Sequence, residues 1–94
     1  MNIALDYDDT YTRDPEMWDG FIALCRGRGH EVFICTCRGP NPQENQDMVV
    51  PAGIDVYYTN GQSKAPYMAR LGIMVHVWID DTPEMLIDGV MLVG

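Results

Sequence analysis

Asp6 with Asp8, Thr36, Lys64, and Asp80 with Asp81 are residues whose types and positions could do chemistry together. Together they would bring four carboxylates, one ammonium and one hydroxyl to one edge. Four clustered carboxylates repel one another unless a hard divalent cation sits among them, and Mg²⁺ is the usual such ion. A cation and a lysine ammonium together leave room for a doubly charged phosphoryl group, with the Thr36 hydroxyl as a further donor. Taken singly, each signal is weak: an Asp after a strand is usually a turn or cap residue, and a Thr there usually satisfies loop amides. A phosphate site therefore requires a fold that brings positions 6, 36, 64 and 80 to one edge.

The hydrophobic pattern predicts such a fold. Asn2-Ile3-Ala4-Leu5 reads as a short buried strand stopping at Asp6. Asp14-Pro15-Glu16 reads as a helix start, with Asp14 capping and Pro15 in the first turn. Trp18, Phe21, Ile22 and Cys25 follow at helical spacing, and Gly27 with Gly29 ends the helix. Further strands are expected at Glu31–Cys35, Ile54–Tyr58 and Val75–Ile79, and a second helix from about Ser63 to Leu71, closed by Gly72. The Pro-, Asn- and Gln-rich stretch 38–52 could hold a modest helix over Pro42–Val50. Thr82-Pro83-Glu84 resembles another helix start with Thr82 as cap, interrupted at Asp88-Gly89, and Val90–Val93 could add a fifth strand. Strands alternating with helices predict an α/β domain: a three-layer, doubly wound, mostly parallel sheet of four to five strands. In such a sheet the site lies beyond the carboxyl ends of the strands, where the strand order reverses. The four polar signals fall at those ends.

Composition removes several alternatives. Ninety-four residues suit one domain (1–94) with a single core and no internal linker. Fourteen acids against six bases give a net charge of -8, so no extended nucleic-acid surface is expected. No apolar run approaches the roughly 20 residues of a membrane span. No export signal is expected ahead of Asp6, and the cytoplasm is the expected compartment. The cysteines Cys25, Cys35 and Cys37 are odd in number and lack a second close pair, which argues against both a disulfide framework and a zinc site. His30 and His76 fall where strand flanks are expected.

Asp6-Tyr7-Asp8-Asp9-Thr10 resembles the Asp-x-Asp-x-Thr signature of the haloacid dehalogenase superfamily, most of whose members are phosphatases. Ile34-Cys35-Thr36 is similar to its second motif, Lys64 at a helix head to its third, and Ile79-Asp80-Asp81-Thr82-Pro83-Glu84 to its paired-acid fourth. All four stand in the family order and span nearly the whole chain. The family commonly inserts a cap domain after the first or third strand; here residues 7–13 alone separate Asp6 from Asp14, so the chain resembles a minimal capless member. The resemblance implies a magnesium-dependent phosphomonoester hydrolase. Asp6 would be the nucleophile that becomes an aspartyl-phosphate, and Asp8 the acid and base. Thr36 and Lys64 would bind the phosphoryl group. Magnesium would be held by Asp6, the backbone carbonyl of Asp8, Asp80 as first choice for direct ligation, and Asp81 through the surrounding shell. A phosphotransferase would use the same residues, and a catalytically weak magnesium- or phosphate-binding regulatory module is the other alternative. A receiver domain is disfavoured, because its acceptor Asp follows the third strand, where Tyr58-Thr59-Asn60 offers none.

Other residues carry smaller expectations. Asp9 replaces a glycine common in the resembling motif and suits loop stabilisation, while Thr10 suits a hydrogen bond that fixes Asp6. The fork of Arg38 suits a substrate phosphate or carboxylate, with surface pairing as the plain alternative; Arg13 is a weaker candidate. Tyr7 and Tyr11 could wall the mouth or simply pack, and Trp18 and Trp78 read as core. A capless pocket favours nucleotides or phosphorylated ends of larger molecules as substrates. The missing wall is expected either from the 38–52 segment folding over its own pocket or from a neighbouring subunit, with Tyr57 or Tyr67 as exposed anchors; a homo-oligomer is the favoured arrangement.

Overall fold

Asp14 closes the start of the first helix as its sequence demands: its Oδ1 accepts from the Met17 N–H at 3.2 Å, and Pro15 occupies the first helical position. In the computed structural model, which describes residues 1–87, the chain runs β1 (Asn2–Leu5), α1 (Pro15–Gly27), β2 (Glu31–Thr36), β3 (Val56–Tyr58), α2 (Lys64–Arg70) and β4 (Val77–Ile79). Short 3₁₀ turns lie at Tyr11–Arg13 and Pro83–Met85. The expected strand at Val90–Val93, with Asp88-Gly89 before it, lies outside the described residues. Replacing the cap, Asp14→Ala, leaves the Met17 N–H without its partner and is expected to cost about 1 kcal/mol in a urea titration.

The four strands form one all-parallel sheet in the order β3-β2-β1-β4. The chain steps one way from β1 to β3, then crosses back to place β4 on the other side of β1. Right-handed crossovers in opposite directions put their helices on opposite faces, and the packing agrees. Ile22 and Cys25 of α1 pack with Ile3, Leu5, Val32 and Ile34 on one face. Met68 of α2 packs with Ala4, Phe33 and Cys35 on the other. Alternating residues of β1 and β2 thus serve two cores, which is why both strands read as unbroken apolar runs. The link between β2 and β3 contributes Met48, Val50 and Ile54 to the α1 face in place of a helix.

That link corrects one expectation. No helix forms over Pro42–Val50: turns run over 42–47 and residues 48–50 are irregular, because asparagine side chains take over the local backbone. Asn41 Oδ1 accepts from the Gln43 N–H at 2.9 Å, and Asn45 Nδ2 donates to the carbonyls of Gly39 (2.8 Å) and Asn41 (3.0 Å). Thr82 makes no side-chain cap; the Asp80 carboxylate instead accepts the Thr82 N–H at 2.9 Å. Tyr57 and Tyr67 are half-buried against the α2-side core rather than exposed anchors. Trp18 and Trp78 are half-buried and pack against the α1-side and α2-side cores respectively. No helix among the described residues is long and apolar enough to cross a membrane.

Candidate active site

The order reverses between β1 and β4, and the chemistry-bearing residues meet there. Leu5, the last residue of β1, is fully buried and anchors the backbone just before Asp6. The Asp6 N–H then donates to the Ile79 carbonyl at 2.9 Å, extending the β1–β4 ladder by one step. Asp80 follows Ile79, so Asp6 and Asp80 leave adjacent strand ends side by side. Lys64, the first residue of α2, is 2% exposed and reaches between them. Its Nζ donates to Asp6 Oδ1 at 2.7 Å and to Asp80 Oδ2 at 2.5 Å. One ammonium therefore joins β1, β4 and α2.

The loop after Asp6 folds back sharply. Asp9 has φ 61°, a left-handed conformation that glycine adopts freely and Asp tolerates. This accounts for Asp9 in a position where the resembling motif often carries glycine. The turn brings the buried Thr10 hydroxyl to 3.1 Å from both Asp6 Oδ2 and Asp81 Oδ1. A hydroxyl has one proton to give, so it satisfies one of these oxygens at a time.

Burial dominates the electrostatics of Asp6 and pushes its pKa up to about 6. The Lys64 ammonium opposes that rise, while the carboxylates of Asp81 and Asp80 add to it. Asp81 is held below the usual carboxylate range, by its neighbour Asp6 first and by the Thr10 hydroxyl as well. The two acids therefore behave as a pair in which Asp6 is the more readily protonated member. For Lys64 burial disfavours the charge, but its hydrogen bonds to Asp6 and Asp80 outweigh burial and hold the ammonium above its ordinary range.

A cleft of about 170 Å³ opens on this cluster, lined by Asp6, Asp8, Thr36, Lys64, Asp80 and Asp81 among others. All six lead residues of the sequence reading thus border one cavity. A larger groove of about 430 Å³ lies between α2 and β4, lined by Met68, Ile73, Met74, Val75 and Trp78. It offers apolar contact and no ionisable side chain, so it is not where this chemistry would occur.

Arg38 stands outside the cleft lining and makes a pairing that sequence reasoning missed in part. Its backbone N–H donates to Thr36 Oγ1 at 3.3 Å. Its Nε and Nη2 donate to the two oxygens of Asp8 at 2.9 and 2.8 Å, and Nη1 and Nη2 to the two oxygens of Asp47 at 2.8 and 2.9 Å. The guanidinium also lies 5.2 Å from the centre of the Tyr7 ring. Tyr7 and Tyr11 are buried and stack on each other with ring centres 5.8 Å apart, so they support the loop and do not wall the mouth. Tyr7 Oη further accepts the Val49 N–H at 3.0 Å, tying the 38–52 segment beside Asp8. Asp47 had no signal in the sequence beyond its charge.

The donor set suits a hard divalent cation: Asp6, Asp80 and Asp81 each place a carboxylate oxygen within 4.8 Å of the others. The Asp8 side chain is not one of this group and turns to Arg38. Cys35 is buried, and burial pushes its thiol up to about 12, which disfavours the thiolate. His30 Nδ1 meets the N-terminal amine at 2.7 Å and His76 Nδ1 accepts the Asn2 N–H at 2.9 Å. Both histidines thus belong to the foot of β1, at the opposite end from Asp6. Comparison of the chain with protein-family models, with curated proteins and with solved structures finds no match.

Proposed function

We propose that this protein is a divalent-cation-dependent phosphomonoester hydrolase of the haloacid dehalogenase type. The observation that carries the reading is the buried Asp6 carboxylate at the strand-order reversal, held by Lys64 with Asp80 and Asp81 beside it and Asp8 two residues on. Nucleophile, cation and acid–base candidates then border one cleft.

In this reading an oxygen of Asp6 attacks phosphorus in line with the leaving oxygen, giving an aspartyl-phosphate that water later cleaves. Lys64, already shared between Asp6 and Asp80, neutralises charge on the phosphoryl oxygens. The Thr36 hydroxyl donates to one of them. Asp8 protonates the leaving oxygen and then takes a proton from the attacking water. Asp6, Asp80 and Asp81 would hold Mg²⁺, which supplies positive charge where Asp6 and an anionic substrate must approach. Thr10 fixes the Asp6 carboxylate from the side away from Lys64.

The test is phosphate release, with and without magnesium, across nucleotides, sugar phosphates, phosphopeptides and terminally phosphorylated oligonucleotides. Magnesium-dependent release from at least one class is expected, and none from any class overturns the hydrolase reading. Asp8→Asn should lower turnover of that substrate by roughly 10²–10⁴ through lost proton transfer. One observation favours the alternative of a weakly catalytic binding module: both oxygens of Asp8 are engaged by Arg38. An Asp8→Asn protein that binds and releases phosphate ligands as wild type does would point there.

A further inference from the structure

We infer that Arg38 is the anchor for a second anionic group, carried by the leaving-group part of the substrate, and that Asp47 occupies that anchor as an internal stand-in. This rests on the hydrolase reading above and adds the substrate class: phosphomonoesters with a carboxylate or second phosphate near the reacting one.

The position of Arg38 carries the argument. The cleft that would take the reacting phosphoryl group is lined by Lys64, Thr36 and the acids, and Arg38 is not among its walls. Between that cleft and the guanidinium stands Asp8, bound to it through both oxygens. Asp8 is the group that would protonate the leaving oxygen. Whatever lies just past Asp8 therefore meets the part of the substrate beyond that oxygen.

Arg38 is also built in place. Its backbone is tied to Thr36 Oγ1, and its guanidinium sits over the Tyr7 ring. The fork that Asp47 fills is the bidentate geometry in which arginine takes a carboxylate or two phosphate oxygens. Asp47 is easily displaced, because its side chain is 62% exposed and sits in a turn-rich segment, whereas the Arg38 side chain is 23% exposed. A departing Asp47 carboxylate returns to water with little loss, and an incoming anion inherits an oriented fork. On an edge this acidic, such a fork also offsets the repulsion that a multiply charged substrate meets.

The experiment uses the full chain carrying Asp6→Asn, so that ligands bind without turning over, and reads affinity calorimetrically in the presence of magnesium. The probes are phosphate esters of glycolate, 3-hydroxypropionate and 4-hydroxybutyrate, set against those of ethanol, propanol and butanol. The bisphosphates of ethanediol and propanediol form a third series. At least one doubly anionic series should bind roughly tenfold or more tighter than the alkyl series, and whichever it is identifies the second anion as carboxylate or phosphate. Adding Arg38→Gln should erase that preference while changing alkyl phosphate affinity by no more than about threefold. Adding Asp47→Asn, which keeps an oxygen for Arg38 but removes the competing charge, should tighten the doubly anionic ligands severalfold and leave the alkyl series unchanged. Equal affinity across the series overturns the inference, as does an equal loss for all ligands in Arg38→Gln, which would assign Arg38 to the reacting phosphoryl group or to loop structure. Asp47→Asn weakening every ligand alike also overturns it. The hydrolase reading fails separately, by absence of phosphate release from the wild type, whatever these affinities are.

Discussion

Asp6→Asn is expected to leave the chain folded while lowering phosphomonoester turnover by at least about a thousandfold. The amide keeps the size of the carboxylate and one oxygen for Lys64 Nζ, which now lies 2.7 Å from Asp6 Oδ1. It lacks the charge and nucleophilicity that attack on phosphorus requires. Stability should change little, because burial and two neighbouring acids already disfavour the charged form of Asp6, while Lys64 loses one of its two carboxylate partners and keeps Asp80. The two readouts thus separate: a urea midpoint close to that of the wild type, and activity lost. Full turnover in a folded Asp6→Asn protein would remove Asp6 as nucleophile.

The second large effect is on stability. Lys64→Met preserves length and apolar stem but withdraws the ammonium from two buried carboxylates. Removing one partner of a buried ion pair costs about 3–5 kcal/mol, since the other is left uncompensated. A chain of this size has about 5–14 kcal/mol in all, so the variant should sit near the edge of folding. Magnesium, gathered by the same acids, should restore part of the loss. Its effect on the melting temperature should therefore be larger in Lys64→Met than in the wild type. An unchanged urea midpoint in magnesium-free buffer would show that the pair is not fully desolvated in solution. Like-charge repulsion alone would expect Asp80→Ala to stabilise the metal-free protein. The structure reverses that sign, because Asp80 binds Lys64 and accepts the Thr82 N–H, and both contacts would be lost.

Much of this architecture was legible from residue order because local and tertiary signals agree. Asn2–Leu5 forms β1 as read, since a charged residue follows a run buried on both faces. Asp14-Pro15 starts α1 for the same kind of reason: the cap chemistry is local. The outer strands were read too long. β3 and β4 begin at Val56 and Val77, two residues later than their apolar runs, because pairing is set by the registers with Ile34–Thr36 and Ile3–Leu5. The site followed from strand ends, where topology does the gathering. Its flank did not, because the Arg38–Asp47 pair forms within a turn-rich stretch that has no period to read.

The strand order has a consequence for synthesis. β1 precedes both of its neighbours in the chain, and β2 can pair with one of its edges as soon as residue 36 is available. Its other edge waits for β4, at residues 77–79, so a long stretch of chain must emerge between the covering of the two edges. An open strand edge is a template for other chains. Asp6 lies at the tip of that edge, where its N–H pairs with Ile79 only once β4 is in place. A charge at the end of an open strand edge disfavours pairing with other chains, so the same carboxylate that becomes buried in the finished site marks the seam that closes last.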